Sequence, residues 1–394
     1  MKKVLIYSLL LVIGLVLSQV LPAQAGEGSD HFREGVSLLT LLCLSFIMVH
    51  VGFEFDLDRD RVGSYLADFG ISASAALLPW IFCSLYFLLV MGPPGAARSF
   101  TAWRDSLITG CSAAPTSAGI LFAMLAAAGL STTWLFRKAR VLAIFDDLVT
   151  VLLLIPLKMM VVGARWQLAA IALVIAALLW LAWSFLHRLR LPIGWPWIVA
   201  YAVLIVLASE AIYLASLRID AVVPIHIEVL LPSFVLGCIL ARPEGSDAHT
   251  DDAREGHQEG PASPVEQRVA SIVSGLFMIL VGLSMPPLLR LAQSAGWGLI
   301  ALHTLLVTLL ANAGKMFPLL CYRGEATFKE RLALCLGMWP RGEVGAGVLI
   351  LSLGYGIAGA PVAVATLSLA VNLVGTGLFI AAVKKLLRAN PTGS

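Results

Sequence analysis

The sequence predicts an all-helical polytopic membrane protein, and three observations predict it. Of 394 residues, 59% are hydrophobic and 13% charged, with a mean hydropathy of +0.90; a soluble domain carries about 25% charge. The apolar residues gather in runs long enough to cross a bilayer as helices and too continuous for barrel strands. One long polar stretch, residues 242–267, interrupts them. The formal net charge of +3 says little by itself. Six cysteines (43, 83, 111, 238, 321 and 335) lie in or beside apolar runs without CxxC or Cys/His spacing. They read as small core residues, neither disulfides nor metal ligands.

Twelve runs are candidate spans: 4–23, 37–57, 64–92, 104–128, 138–162, 166–186, 196–218, 222–241, 268–290, 296–322, 331–356 and 361–387. Run 1 has two readings. Its basic start, apolar stretch and small residues Ala23 and Ala25 also fit a cleaved signal peptide, which leaves eleven helices. Lys2 and Lys3 precede run 1, and further Lys and Arg follow runs 2, 4, 6, 8, 10 and 12. Both termini are therefore expected in the cytoplasm. Residues 242–267, rich in Pro, Gly and acids, read as a flexible cytoplasmic linker in which His249 and His257 are solvated.

The linker divides the chain into 1–25 (first helix or signal peptide), 26–241 (first half with connecting helices) and 268–394 (second half, beginning near 222). The halves share weak similarity. "MVHVGF" (48–53) matches "MILVGL" (278–283) at an offset of 230, and "APTSAG" with Pro115 matches "WPRGEVG" with Pro340 at 225. The second offset also carries Asp147 onto Asn372. Run 2 to run 9 is an odd number of crossings, so the halves are expected to be inverted-topology repeats. Run 8 then pairs with run 1, which favours a retained first helix.

Each half has an interrupted helix. Pro115, beside Thr116, Ser117 and Gly119, and Pro340, beside Arg341, Gly342, Glu343 and Gly345, remove helix hydrogen bonds in mid-run. Paired interruptions at matching positions predict two broken, crossing helices that meet ions at the midplane. Lys315 lies too deep in run 10 to reach an interface and requires an anion. The adjacent acids Asp146 and Asp147 lie mid-run in "AIFDDLVTVLLL". Neighbours on a helix project about 100° apart, so one can pair with the lysine while the other faces a cavity and takes a proton or cation.

A central "FDD", a "PTS" break ahead of it, a "GK" helix and then "PRGEVG" together resemble the bacterial sodium/proton antiporters of the cation/proton antiporter superfamily, NhaA/NapA type, two-aspartate subgroup. The resemblance covers runs 2 to 12, with Phe53 in place of a usual leucine. It implies alternating-access exchange of Na+ or Li+ for H+, with more protons than cations moved per cycle. Carried over by position, Asp147 is the exchanging carboxylate and Asp146 the partner of Lys315. Thr116 and Ser117 line the crossing, with Asp146 and Thr116 as further ligands of the cation. Arg341 and Glu343 are structural or gating charges. The resemblance also implies a homodimer in the bacterial cytoplasmic membrane, with no cofactor, nucleic acid or enzymatic activity.

Other ionisable residues in or near the runs are His50, Glu54, Asp56, Asp68, Glu210, His226, Glu228 and His303; none is expected to be the exchange site. An intramembrane aspartyl protease draws its two acids from different helices, whereas here they are neighbours. A sodium-coupled organic-solute symporter of related fold and a non-transporting sensor are the remaining alternatives. The lysine and paired acids argue against both.

Overall fold

The structure is a computed structural model that describes residues 2–24, 29–53, 62–163, 166–219, 229–241, 264–285 and 297–388. Glu54, Asp56, His226, Glu228, His249, His257 and most of the 242–267 stretch lie outside the described residues, as does the Glu343 side chain. The all-helical class read from the sequence holds. Among the described residues strand-like pairing is limited to an isolated bridge between Leu189 and Leu240. Eight described helices are long and apolar enough to cross a membrane.

In chain order the helices are α1 (Lys2–Gln24), α2 (Ser29–Phe53), α3 (Val62–Leu89), α4 (Phe100–Cys111), α5 (Ala118–Ala127) and α6 (Trp134–Val162). Then come α7 (Trp166–Ser184), α8 (Trp195–Ile219), α9 (Leu230–Ile239) and α10 (Pro264–Leu283). The last are α11 (Trp297–Gly314), the short α12 (Pro318–Cys321), α13 (Phe328–Gly337), α14 (Glu343–Gly354) and α15 (Ala360–Arg388). Three of the apolar runs are interrupted, runs 4 and 11 where the sequence predicts a break and run 10 where it reads as continuous. Run 4 divides into α4 and α5, and run 11 into α13 and α14. Run 10 stops at Gly314 and restarts at Pro318; proline has no amide hydrogen to continue a helix but suits the first turn of a new one.

Local chemistry explains several ends. The hydroxyls of Ser99, Ser117 and Thr133 accept from Ala102, Ile120 and Phe136 amides at the starts of α4, α5 and α6, satisfying first-turn donors. Thr327 and Glu330 form a reciprocal capping box on α13. Large apolar side chains such as Leu5 (73% exposed) and Leu378 (75%) point outward, which suits lipid and would be costly in water.

The chain divides into two compact units: Met1–Ser37, Arg61–Gly163 and Met278–Ser394 form one, and Leu38–Asp60 with Ala164–Phe277 the other. Each contains a helix crossing so close that backbones touch. In the first unit, a Cβ on Gly14 would lie 2.1 Å from the Ile279 carbonyl oxygen, and one on Gly282 2.4 Å from that of Leu11. In the second, a Cβ on Gly52 would lie 2.1 Å from the Phe234 carbonyl oxygen, and one on Gly237 2.2 Å from that of Val49. Small residues allow such approach where no hydrophobic drive operates between helices. Gly14→Ala or Gly52→Ala should therefore force a helix pair apart and cost about 1–3 kcal/mol, read as a lower Tm of the purified protein in detergent. Gly35→Ala, where a Cβ meets nothing within 4 Å, should be neutral or slightly stabilising.

Candidate functional site

The site lies in the first unit, where the interruption between α4 and α5 meets the one between α13 and α14. The Ser117 amide donates to the Pro340 carbonyl (3.0 Å) and the Thr116 hydroxyl to the Met338 carbonyl (3.1 Å). Each break thus satisfies part of the other's freed backbone, as a lipid-embedded interruption requires. Gly342 is confined: a Cβ there would lie 2.9 Å from Ile120 Cδ1 and 3.2 Å from Ser117 Oγ.

Lys315 stands in the turn that ends α11 and has no exposure to solvent. Its Nζ donates to Asp146 Oδ2 (2.6 Å) and to the Ala114 carbonyl (2.6 Å). The same Oδ2 accepts from the Thr116 amide (2.7 Å). Charge therefore follows the peptide dipoles. The ammonium meets the Ala114 carbonyl just beyond the C-terminal end of α4, and the carboxylate meets an amide just before the start of α5. Asp146 Oδ1 is buried and accepts no hydrogen bond among the described residues. Asp147, on the same helix, is 3% exposed.

Arg341 is buried as deeply. Its guanidinium donates to the carbonyls of Ala113 (3.1 Å), Trp339 (3.2 Å) and Ala311 (2.9 Å) and to Asn312 Oδ1 (2.7 Å). Asn312 Nδ2 in turn donates to Asn372 Oδ1 (3.0 Å). One turn away, Thr308 donates to Ser368 (2.9 Å). A cavity of about 10 Å³, with Ser112, Arg341 and Ser368 in its wall, has room for a single water.

Pro115, Thr116, Ser117, Asp146, Asp147, Lys315, Pro340, Arg341 and Gly342 thus lie at or beside one crossing, with Asn372 joined to it through Asn312. The hydrogen-bonded role of Asn312 was missed in the sequence. A lone amide in "LLANAGK" carries no charge to mark it, although its spacing of three from Lys315 puts both on one helix face.

Outside the protein itself, residues 3–386 match the family model described as sodium/hydrogen exchanger, transmembrane. Among solved structures, the fold resembles that of the sodium proton antiporter MjNhaP1 from Methanocaldococcus jannaschii at pH 8, at 15% sequence identity and a TM-score of 0.55. The likeness covers 96% of this chain and 92% of that one. No curated protein sequence matches significantly.

Removing one member of the buried pair strands the other. Lys315→Met alone should cost about 3–5 kcal/mol, whereas Lys315→Met with Asp146→Leu should recover most of that loss. Thermal unfolding of both variants in one detergent measures the difference.

Proposed function

The chain belongs to the sodium/hydrogen exchanger family, and from that premise we propose that it exchanges Na+ or Li+ for protons by alternating access, cation and proton competing for Asp147. The observation that carries the reading is the Asp146–Lys315 pair at the crossing of two broken helices, with Asp147 beside it. A buried carboxylate must be neutralised by a proton or by a cation. Neither can remain when the other arrives, and this mutual exclusion is the exchange. No covalent bond is made, so no enzymatic step is required.

Within this reading Asp147 is the exchanging acid. Asp146 is held by Lys315 and the Thr116 amide, and its Oδ1 supplies an oxygen toward the cation. The Thr116 hydroxyl donates to Met338 and keeps lone pairs for the same purpose. When a cation binds Asp147, the added positive charge opposes the ammonium of Lys315. A proton leaving that pair as well would make the cycle electrogenic. Arg341, fixed by four acceptors, acts as a permanent structural charge, and Glu343 opens α14 as a gating charge.

We assign the two halves as inverted repeats. Support comes from the two glycine crossings: Leu11 and Gly14 precede Phe234 and Gly237 by 223 positions, and Val49 and Gly52 precede Ile279 and Gly282 by 230. The four backbone approaches correspond one to one. The same correspondence makes α1 the counterpart of α9 and argues for its retention as a helix. A bacterial cytoplasmic membrane location with the C-terminus inside, and a homodimer, complete the proposal.

The test is dye-reported proton movement in everted vesicles on addition of Na+, Li+ or K+. The wild type should dequench with Na+ or Li+, and Asp147→Asn, inserted at equal level, should not respond. Silence of the wild type toward all three ions would contradict exchange and favour solute symport.

A further inference from the structure

A second buried ion cluster lies in the same unit, apart from the crossing and unused by the exchange just proposed. Asp68, near the start of α3, is 3% exposed. Lys138 Nζ donates to both its carboxylate oxygens (3.1 Å each), and the Tyr322 hydroxyl donates to Oδ1 (2.7 Å). Lys138 also stands 4.7 Å above the Tyr322 ring and 3.0 Å from Glu325. Trp134 meets Tyr322 edge-on at 5.8 Å. Burial, and then the hydrogen bond to Asp68, push the Tyr322 phenol up, so it remains a donor at every physiological pH.

The cluster joins three segments, two of which carry the ion pair of the site. Lys138 lies on α6, eight residues before Asp146, and Tyr322 follows α12, seven residues after Lys315. Eight helical residues span about 12 Å, so the cluster grips α6 roughly two turns from the carboxylate. Along that interval α3 stays against α6: Ser72 Oγ donates to the Leu142 carbonyl (2.7 Å), and Phe69 meets Phe145 edge-on at 5.5 Å. Along the other interval α3 stays against α11, where a Cβ on Gly314 would lie 2.5 Å from the Pro79 nitrogen. Thus α3 is a strut between the two elements that hold Asp146 and Lys315, and its Asp68 is fastened to both.

We propose that Asp68, Lys138 and Tyr322 are positioning residues for cation exchange: their clasp on α3 sets the register of α6 against the α11–α12 turn, and through it the separation of Asp146 and Lys315. The inference rests on the exchange reading for its consequence in transport, while its structural part stands on the contacts alone. Glu325, 48% exposed at its side chain, is a rim partner that screening renders weak.

Two measurements on the full-length protein decide it. Amide hydrogen exchange of purified wild type, Asp68→Asn, Tyr322→Phe, Lys138→Arg and Glu325→Gln reports local opening without any need for transport. Asp68→Asn and Tyr322→Phe should speed exchange at 142–150 and 311–317 by about three- to tenfold, the effect of losing one hydrogen bond of ordinary net strength. Lys138→Arg, which keeps the charge and can pair bidentately, and Glu325→Gln should stay within about twofold of wild type. In vesicles the first two variants should raise the apparent KM for the cation by a similar factor, with Vmax per folded protein less affected. Faster amide exchange confined to 62–72 and 134–140, with KM unchanged, would overturn the proposal. A wild type without cation response would instead contradict the exchange reading, and the amide data would still judge the clasp.

Discussion

A lysine ammonium and an aspartate carboxylate, 2.6 Å apart and both without exposure to solvent, impose the constraint on which the rest of this structure depends. Neither charge is tolerable alone in a bilayer core, where an ionised group at a helix centre costs roughly 2.5–3.5 kcal/mol on insertion scales. Their mutual attraction offsets that cost only when the remaining donors and acceptors are also met. The two interrupted helices meet that need. Ending α4 at Cys111 and starting α5 at Ala118 frees carbonyls for Lys315 and Arg341 and an amide for Asp146. A continuous helix would have consumed all of them internally.

The same economy governs the second break. Pro340 leaves α13 without continuation, and its carbonyl accepts from Ser117, so the interruptions are mutually necessary. Arg341 ties the crossing to α11 and, through Asn312 and Asn372, to α15. In the inverted-repeat assignment proposed above, Asp147 is the counterpart of Asn372, so that one repeat would present an ionisable group to the crossing and the other a neutral amide. In the exchange reading this asymmetry confines cation and proton to one carboxylate centre.

Much of this was legible in the residues. Hydropathy alone gives the helical class, because apolar runs of about twenty residues have few other uses. Pro115, Pro340, Lys315 and the paired aspartates stand out because each is expensive where it lies. What stayed hidden has equally physical reasons. The break at Lys315–Phe317 is marked only by the following Pro318, which also fits an uninterrupted span's end. Lys138 reads as an ordinary interfacial cation near a helix terminus, and only the fold brings it onto Asp68. Gly14, Gly52, Gly237 and Gly282 are four of 34 glycines, and which of them meet a neighbouring backbone depends on the helix crossing. Asn312 lacks the charge that would have marked it.

In the exchange reading, proton and cation occupy the same carboxylate centre in turn. Sodium affinity of the purified protein as a function of pH tests it most directly. Competition predicts that Kd weakens about tenfold for each pH unit on the acidic side of the site's titration and levels off above it, and that Asp147→Asn shows no such dependence. A Kd that is tight and independent of pH in the wild type would contradict the claim, because cation and proton would then bind without regard to each other.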